Sequence, residues 1–137
     1  MAFPGIAYYH GSKFALEGIS ASLGKEVKSF GIAVTAVEPG MFRTDWAGRS
    51  MVRSGRSIAD YDAVFGPIRE ARLARSGKQP GDPAKAGRAI LTLIDSPSPP
   101  SHLMLGPDAL QLVDASRREF DAETRAWEAV SMSTNFD

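Results

Sequence analysis

The sequence contains no cysteine among its 137 residues. It therefore has no thiol nucleophile, no disulfide framework and no zinc site of the cysteine type. It also lacks an apolar run of the roughly 18 residues that a membrane span requires. Residues 1–7 lack the basic region and apolar core of a signal peptide. We therefore expect a cytoplasmic protein that does not associate with membranes.

An excess of charge of one sign is also absent, since 16 Lys and Arg balance 16 Asp and Glu. Proteins that bind nucleic acid usually carry a strongly basic domain with clustered Lys and Arg, so we expect no nucleic-acid partner. The composition, 43% hydrophobic and 23% charged, is close to the globular average and excludes a disordered tail or a collagen-like chain. The length suits about one domain or a piece of a larger one.

Apolar periodicity predicts helices that alternate with strands. Residues 7–29 repeat apolar side chains at helical spacing, and Gly31 ends this first helix. Residues 32–37 are rich in β-branched side chains and are apolar on both faces, which is typical of a buried parallel strand. Pro39 and Gly40 then stop the strand.

The second half of the chain continues this alternation. A weak helical pattern covers residues 58–76, and Asp82 with Pro83 predicts the N-cap and first residue of another helix. Residues 102–105 predict a second strand, and residues 108–130 a final amphipathic helix. This order predicts an α/β fold with a parallel sheet. Because two strands alone leave sheet edges unpaired, we expect part of a larger sheet, and poor solubility or self-association of the isolated chain.

Tyr9 and Lys13 are the first candidates for chemistry, because side chains four residues apart lie on one face of a helix. A phenol titrates near pH 10, and a neighbouring ammonium group favours its charged form. Such a pair can transfer protons. Taken alone, the spacing is better explained by a Tyr packed on the sheet and a Lys that extends into solvent.

The surrounding residues make this pair more specific. The stretch Ala7–Gly18, which contains the pair, is followed by Gly31-Ile32, by Glu38-Pro39-Gly40, and by Thr44 four residues beyond that Gly. This combination resembles the C-terminal half of the short-chain dehydrogenases/reductases, in which a Tyr-x-x-x-Lys pair opens a long helix and the next strand ends in Pro-Gly. Residues 102–109 resemble the last strand of that family and the turn after it.

The resemblance implies an α/β fold, the C-terminal half of a doubly wound, Rossmann-like parallel-sheet domain that binds NAD(P). This partial domain would span residues 1–137, with residues 45–79 as the substrate-binding lid region. The implied activity is hydride transfer between a nicotinamide cofactor and a small-molecule alcohol or ketone. Tyr9 would be the general acid/base of this reaction. Lys13 would assist Tyr9 and hydrogen-bond the nicotinamide ribose.

The resemblance also implies a cofactor site for NAD or NADP at the carboxyl end of the first strand, where open α/β sheets bind ligands. Pro39 and Gly40 would shape the loop beside the nicotinamide. Phe42 would offer its backbone to the carboxamide, and Thr44 would offer its hydroxyl. Members of the family are commonly dimers or tetramers, so a homo-oligomer is expected of the full-length protein.

Some features of the family do not occur in these residues. The Gly-rich dinucleotide turn is absent, and so are the Ser and Asn expected before the Tyr. The cofactor pyrophosphate binds at the helix that follows such a turn, so we expect no turnover by the isolated chain. The alternative is an inactive truncated remnant that acts, if at all, through partner binding or oligomerisation. The substrate, the choice between NAD and NADP, and the reaction direction stay open.

Three weaker patterns are better explained by ordinary packing or solvation. Ser22 and Lys25 have the Ser-x-x-Lys spacing of penicillin-binding acyl enzymes, but neither Ser-Asp-Asn nor Lys-Thr-Gly accompanies them. His10 and His102 lack His or Cys partners at metal-ligand spacing, so we expect no metal site. Three arginines at helical spacing indicate a solvated face rather than a phosphate site: Arg69, Arg72 and Arg75.

Overall fold

A computed structural model describes residues 1–52, 54–55 and 58–136. The described chain alternates helices with two strands, as expected for an α/β protein. Residues 53, 56 and 57 of the expected lid region lie outside the described residues. The elements are α1 (Ala7–Val27), β1 (Ala36–Pro39), α2 (Asp62–Arg75), α3 (Pro83–Ile94), β2 (His102–Leu105), α4 (Pro107–Ala126) and α5 (Glu128–Met132), with 3-10 turns at Lys28–Phe30, Asp45–Ala47 and Ala59–Tyr61.

The first helix ends close to where its sequence pattern predicts. The α-helical part stops at Val27, and the 3-10 turn Lys28–Phe30 tightens its last residues. Gly31 follows with φ 72°, and its N–H donates to the Lys28 carbonyl at 3.1 Å. This left-handed conformation favours glycine, because a side chain there would be strained. Gly31 therefore ends the helix as expected.

The two strands pair in parallel, in a register that joins Ala36 to His102 and Pro39 to Leu105. The predicted second strand, residues 102–105, is confirmed. The predicted first strand, residues 32–37, is wrong at both ends, since β1 spans Ala36–Pro39. In the same register, residues 33 and 34 would lie opposite Pro99 and Pro100, which have no N–H to donate to a ladder.

Helices lie on both faces of this sheet. On one face, Glu17 of α1 reaches His102 of β2 with its carboxylate 3.4 Å from the imidazole Nδ1. On the other face, Leu105 of β2 lines a cleft together with Ala86 and Ala89 of α3. The arrangement is a layer of helix, a parallel sheet and a second layer of helix, which is the layering of an α/β fold.

The predicted start of α3 is confirmed in detail. The Asp82 carboxylate accepts a hydrogen bond from the Ala84 N–H at 2.8 Å, and Pro83 is the first helical residue. Pro suits this position because its missing N–H would have no helical partner there. The helix predicted from residues 58–76 is shorter, since α2 spans Asp62–Arg75 and the 3-10 turn Ala59–Tyr61 precedes it.

The final helix is broken where the sequence predicts one continuous helix over residues 108–130. Trp127, with φ −109° and ψ 8°, separates α4 from α5. Its N–H is shared between the carbonyls of Glu123 and Thr124, at 3.2 and 3.3 Å. The Thr124 hydroxyl also donates to the Phe120 carbonyl at 2.8 Å. Such back-bonding by Thr competes with the helical ladder and bends helices.

Little of the apolar surface is covered within the described chain. The accessible surface is 10976 Å², against about 6900 Å² for a folded monomer of this mass. Leu105 and Ala109 are the buried hydrophobic residues among those described. The apolar face predicted for α1 lies open, since Phe14 is 54% and Ile19 63% exposed. Among the described helices, none is long and apolar enough to cross a membrane.

We expect the 137-residue chain by itself to self-associate, because apolar patches of this extent associate in water. Ile19→Lys should reduce the association, whereas Ala21→Lys, on the opposite side of α1, should change it little. Sedimentation velocity over a range of concentrations measures this. A monodisperse parent chain that unfolds cooperatively would contradict the expectation.

Candidate active site

Tyr9 and Lys13 lie together in the first turns of α1. The Lys13 Nζ is 5.7 Å from the centroid of the Tyr9 ring, within the range of a cation–π interaction. Tyr9 is 40% exposed, so its side chain is accessible to a ligand. The one-face arrangement predicted from the spacing of four residues is therefore present in the structure.

The Tyr9 ring contacts Trp46, which lies in the segment that follows β1. The two ring centroids are 5.6 Å apart, with the planes tilted by 58°. Trp46 lies in the 3-10 turn Asp45–Ala47, for which Thr44 is the N-cap. The sequence analysis did not single out Trp46. An aromatic residue close after Thr44 was the available signal, but no spacing rule connects it to Tyr9.

The predicted loop residues follow the carboxyl end of β1. Pro39 is the last residue of the strand, and the Gly40 N–H donates to the Leu105 carbonyl of β2 at 2.8 Å. The next N–H, of Met41, leaves the ladder and donates to the Asp108 carboxylate at 2.6 Å. The backbone thus turns away from the sheet at the edge where open α/β sheets bind ligands.

Residues 41–43 are fixed on their other side by residues 79–81. The Gly81 N–H donates to the Met41 carbonyl at 3.0 Å, and the Arg43 N–H donates to the Gly81 carbonyl at 2.9 Å. The Arg43 guanidinium also donates through Nε to the Gln79 carbonyl at 3.1 Å. These bonds hold together the two ends of residues 45–79, so the expected lid region leaves and rejoins the fold at one place.

Two hydrogen-bond donors in this segment remain available. Within the described part of the chain the Phe42 N–H makes no hydrogen bond, because the pairing with Gly81 uses the groups of Met41 and Arg43. The Thr44 hydroxyl oxygen accepts from the Trp46 N–H at 3.4 Å, so its proton is free to donate. A backbone N–H and a hydroxyl can bind a carboxamide and other polar groups of a ligand.

The structure does not place all of the predicted residues in one cleft. The Phe42 ring lines a cleft of about 290 Å³ with Gly81, Leu105 and Gly106, and this cleft contains neither Tyr9 nor Lys13. A larger cleft of about 530 Å³ runs along α1 between Phe14 and Glu26, and none of the predicted site residues lines it. The Tyr9 ring instead contacts Trp46 at the start of the lid region.

His102 has two acidic neighbours that its sequence context does not show. Its Nδ1 lies 2.9 Å from Glu38 Oε1 and 3.4 Å from Glu17 Oε2. These contacts join α1 to both strands, and the three side chains offer ligand atoms within 4.8 Å of one another. The residues are far apart in sequence, so spacing could not reveal the group. His10 instead accepts a hydrogen bond from the Phe3 N–H at 2.8 Å.

Comparison with known proteins shows the family. A family model described as short chain dehydrogenase matches residues 1–53. The oxidoreductase BOA17 of Botryotinia fuckeliana is 35% identical over 131 residues, which are 96% of this chain and 47% of that protein. The 3-ketodihydrosphingosine reductase of Bacteroides thetaiotaomicron is 33% identical over 109 residues, 78% of this chain and 40% of that protein.

A solved structure agrees with these relatives. A short-chain dehydrogenase from Streptomyces avermitilis superposes with a TM-score of 0.83 at 38% identity, over 99% of this chain and 48% of that one. The chain therefore belongs to the short-chain dehydrogenase/reductase family and has its Rossmann-like α/β fold. It spans about half the length of the relatives that it matches.

The close approach of residues 41–43 to Gly81 predicts a sharp difference between two glycines. A Cβ at Gly81 would lie 2.7 Å from the Met41 carbonyl oxygen and 2.8 Å from the Phe42 ring, so we expect Gly81→Ala to cost about 1–3 kcal/mol of stability. Gly87 of α3 has open space around it, and Gly87→Ala should stabilise by up to about 1 kcal/mol. Urea unfolding measures both, and equal effects would contradict this account.

Proposed function

We propose that this protein is an NAD(P)-dependent oxidoreductase that transfers a hydride between the nicotinamide and a small-molecule alcohol or ketone, with Tyr9 as the general acid/base. The observation that carries the proposal is the position of the Tyr9 and Lys13 pair. The pair is exposed at the start of α1, and its Tyr9 ring contacts Trp46, which follows β1 in the chain. Ligands of open α/β sheets bind at the carboxyl ends of the strands.

The residues after β1 fit a nicotinamide group. The Phe42 N–H is free to donate to a carboxamide oxygen, and the Thr44 hydroxyl can donate as well. Pro39 fixes the backbone direction at the end of the strand. When bound there, NAD or NADP supplies or accepts the hydride. The arrangement favours neither cofactor over the other.

Tyr9 handles the proton of the reaction. In the direction of reduction, its phenol gives a proton to the carbonyl oxygen of the substrate, and in oxidation its phenolate takes the proton back. The Lys13 ammonium group lies over the Tyr9 ring, 5.7 Å from its centroid, and its N–H groups can donate to the ribose hydroxyls of the cofactor. Lys13 is thus a candidate cofactor-binding residue next to the acid/base residue.

The substrate site follows from the neighbours of Tyr9. Trp46, 44% exposed, offers an aromatic surface beside the phenol, at the start of the lid region. A substrate carbonyl that reaches Tyr9 would pass this ring. The relative from Bacteroides thetaiotaomicron is named for reduction of a ketone, which supports the alcohol and ketone level of the reaction and no narrower class.

A second candidate function is binding without catalysis, through association with partners or with other copies of the chain. The exposed apolar face of α1 favours it, since Phe14, Ile19 and Leu23 are 54%, 63% and 43% exposed. The same face also supports a homo-oligomeric enzyme. Assay of the protein expressed from the complete reading frame that encodes these residues distinguishes the two candidates, because only the enzyme turns over a nicotinamide cofactor.

Tyr9→Phe should lower kcat by about 10²- to 10⁴-fold, which is the usual contribution of a general acid/base. Tyr8→Phe is the matched control, because Tyr8 is 98% exposed and should leave the rate within about twofold. The absorbance of the reduced nicotinamide, followed with a panel of small ketones, measures both. Full activity in Tyr9→Phe would refute the proposed role of Tyr9.

Lys13→Ala should raise the KM for the cofactor, because the ammonium group that would donate to the ribose hydroxyls is removed. Lys25→Ala, an exposed lysine in the last turn of the same helix, should leave this KM unchanged. A KM for the cofactor in Lys13→Ala equal to that of the parent would show that Lys13 does not bind the cofactor.

A further inference from the structure

Asp108 joins the start of α4 to the end of β1. It is the second residue of α4 and is half-buried. Its Oδ2 accepts a hydrogen bond from the Met41 N–H at 2.6 Å, although the two residues are 67 positions apart. A carboxylate that accepts from a backbone N–H makes a charge-assisted hydrogen bond, which is stronger than a bond between neutral groups.

Two glycines make room for this carboxylate. A Cβ at Gly40 would lie 2.6 Å from the Asp108 Cγ, a distance that real side chains do not adopt. Gly40 is not among the glycines with positive φ, so the requirement at this position is for space. Gly106 has φ 102°, which lets the chain turn from β2 into α4 and bring Asp108 beneath Gly40.

The bond to Asp108 completes the fixation of residues 40–43. Gly81 holds the Met41 carbonyl and the Arg43 N–H on one side, and Asp108 holds the Met41 N–H on the other. The N–H groups of Gly40, Met41 and Arg43 all donate hydrogen bonds, whereas the Phe42 N–H between them makes none within the described part of the chain. The direction of that N–H is consequently set by two anchors that come from separate elements.

We propose that Asp108 is a positioning residue for the nicotinamide site, because its carboxylate holds the Gly40-Met41 turn so that Phe42 and Thr44 present their donors to the cofactor. This inference rests on the proposed function. Asp108 does not itself contact the ligand in this role. It acts on cofactor affinity through the backbone of Met41, and the proton chemistry of Tyr9 is independent of it.

The alternative is that Asp108 only stabilises α4. The experiment must distinguish this structural role from positioning of the cofactor site. An acidic side chain in the first turn of a helix stabilises that helix through its dipole, and Asp108 is such a residue. Loss of that effect would lower the stability of α4 and leave cofactor affinity unchanged. Asp114, which lies further along α4 and is paired with Arg118, provides a matched acidic control on the same helix.

The experiment compares Asp108→Ala, Asp108→Asn and Asp114→Ala in the protein expressed from its complete reading frame. Loss of a charge-assisted hydrogen bond predicts that Asp108→Ala raises the KM for NADH or NADPH about tenfold, with kcat and its pH profile unchanged. Asp108→Asn should restore much of the affinity, since its amide oxygen still accepts from Met41. Asp114→Ala should match the parent. Equal KM values in Asp108→Ala and the parent would overturn the inference.

Amide hydrogen exchange at Met41 gives a readout that needs no activity. Exchange at this amide should be faster in Asp108→Ala than in the parent and in Asp114→Ala, and slower exchange or no change would overturn the inference.

Gly40→Ala should lower the stability of the protein less when it is combined with Asp108→Ala, because the clash between the new Cβ and the Asp108 carboxylate is then removed. If Asp108→Ala fails to fold, Asp108→Asn should show a smaller rise in the KM and in exchange at Met41, because a neutral amide oxygen accepts a weaker hydrogen bond than a carboxylate, and no rise in either would overturn the inference. If the parent protein binds neither NADH nor NADPH, the proposed function fails, and the exchange data show separately whether Asp108 holds Met41.

Discussion

The parallel pairing of β1 with β2 is the constraint that organises this molecule. Four residues of each strand join in register from Ala36 and His102 to Pro39 and Leu105. Because the strands are parallel, their carboxyl ends meet at one edge, and the chain that leaves β1 therefore meets the chain that leaves β2. The Met41 bond to Asp108 is the direct result. Without this pairing, the N–H groups of Gly40 and Met41 would lose their partners, the Leu105 carbonyl and the Asp108 carboxylate.

Backbone hydrogen bonds, more than side-chain packing, shape the candidate site. The turn after β1 is held by the Leu105 carbonyl, the Asp108 carboxylate and the two backbone groups of Gly81. Glycine at positions 40 and 81 allows this close approach, since a side chain at either would collide with its neighbours. The side chains of the site are Tyr9, whose ring contacts Trp46, and Lys13, whose ammonium group lies over the Tyr9 ring.

The chain is shorter than the members of its family that it matches, and it leaves more surface exposed than a folded monomer of its mass. The chain spans about half the length of its relatives, and its accessible surface exceeds by roughly 4000 Å² what a folded monomer of this mass leaves exposed. The apolar face of α1 has a helical period that is typical of a buried helix, yet the described chain does not cover it. Hydrophobic burial stabilises such helices only when another surface completes the contact.

The sequence by itself determined the elements that local chemistry specifies. Asp82 and Pro83 predicted the start of α3, Gly31 the end of the first helix, and residues 102–105 the second strand, because caps, turns and apolar runs act over a few neighbouring residues. The family resemblance, carried by ordered motifs, was also readable. Tertiary structure alone decided that β1 begins at Ala36, opposite the prolines before β2, and that Trp46, Asp108 and the carboxylates around His102 have the neighbours they have. Those contacts join residues far apart in sequence, and only the strand pairing and the packing of helices on the sheet bring them together.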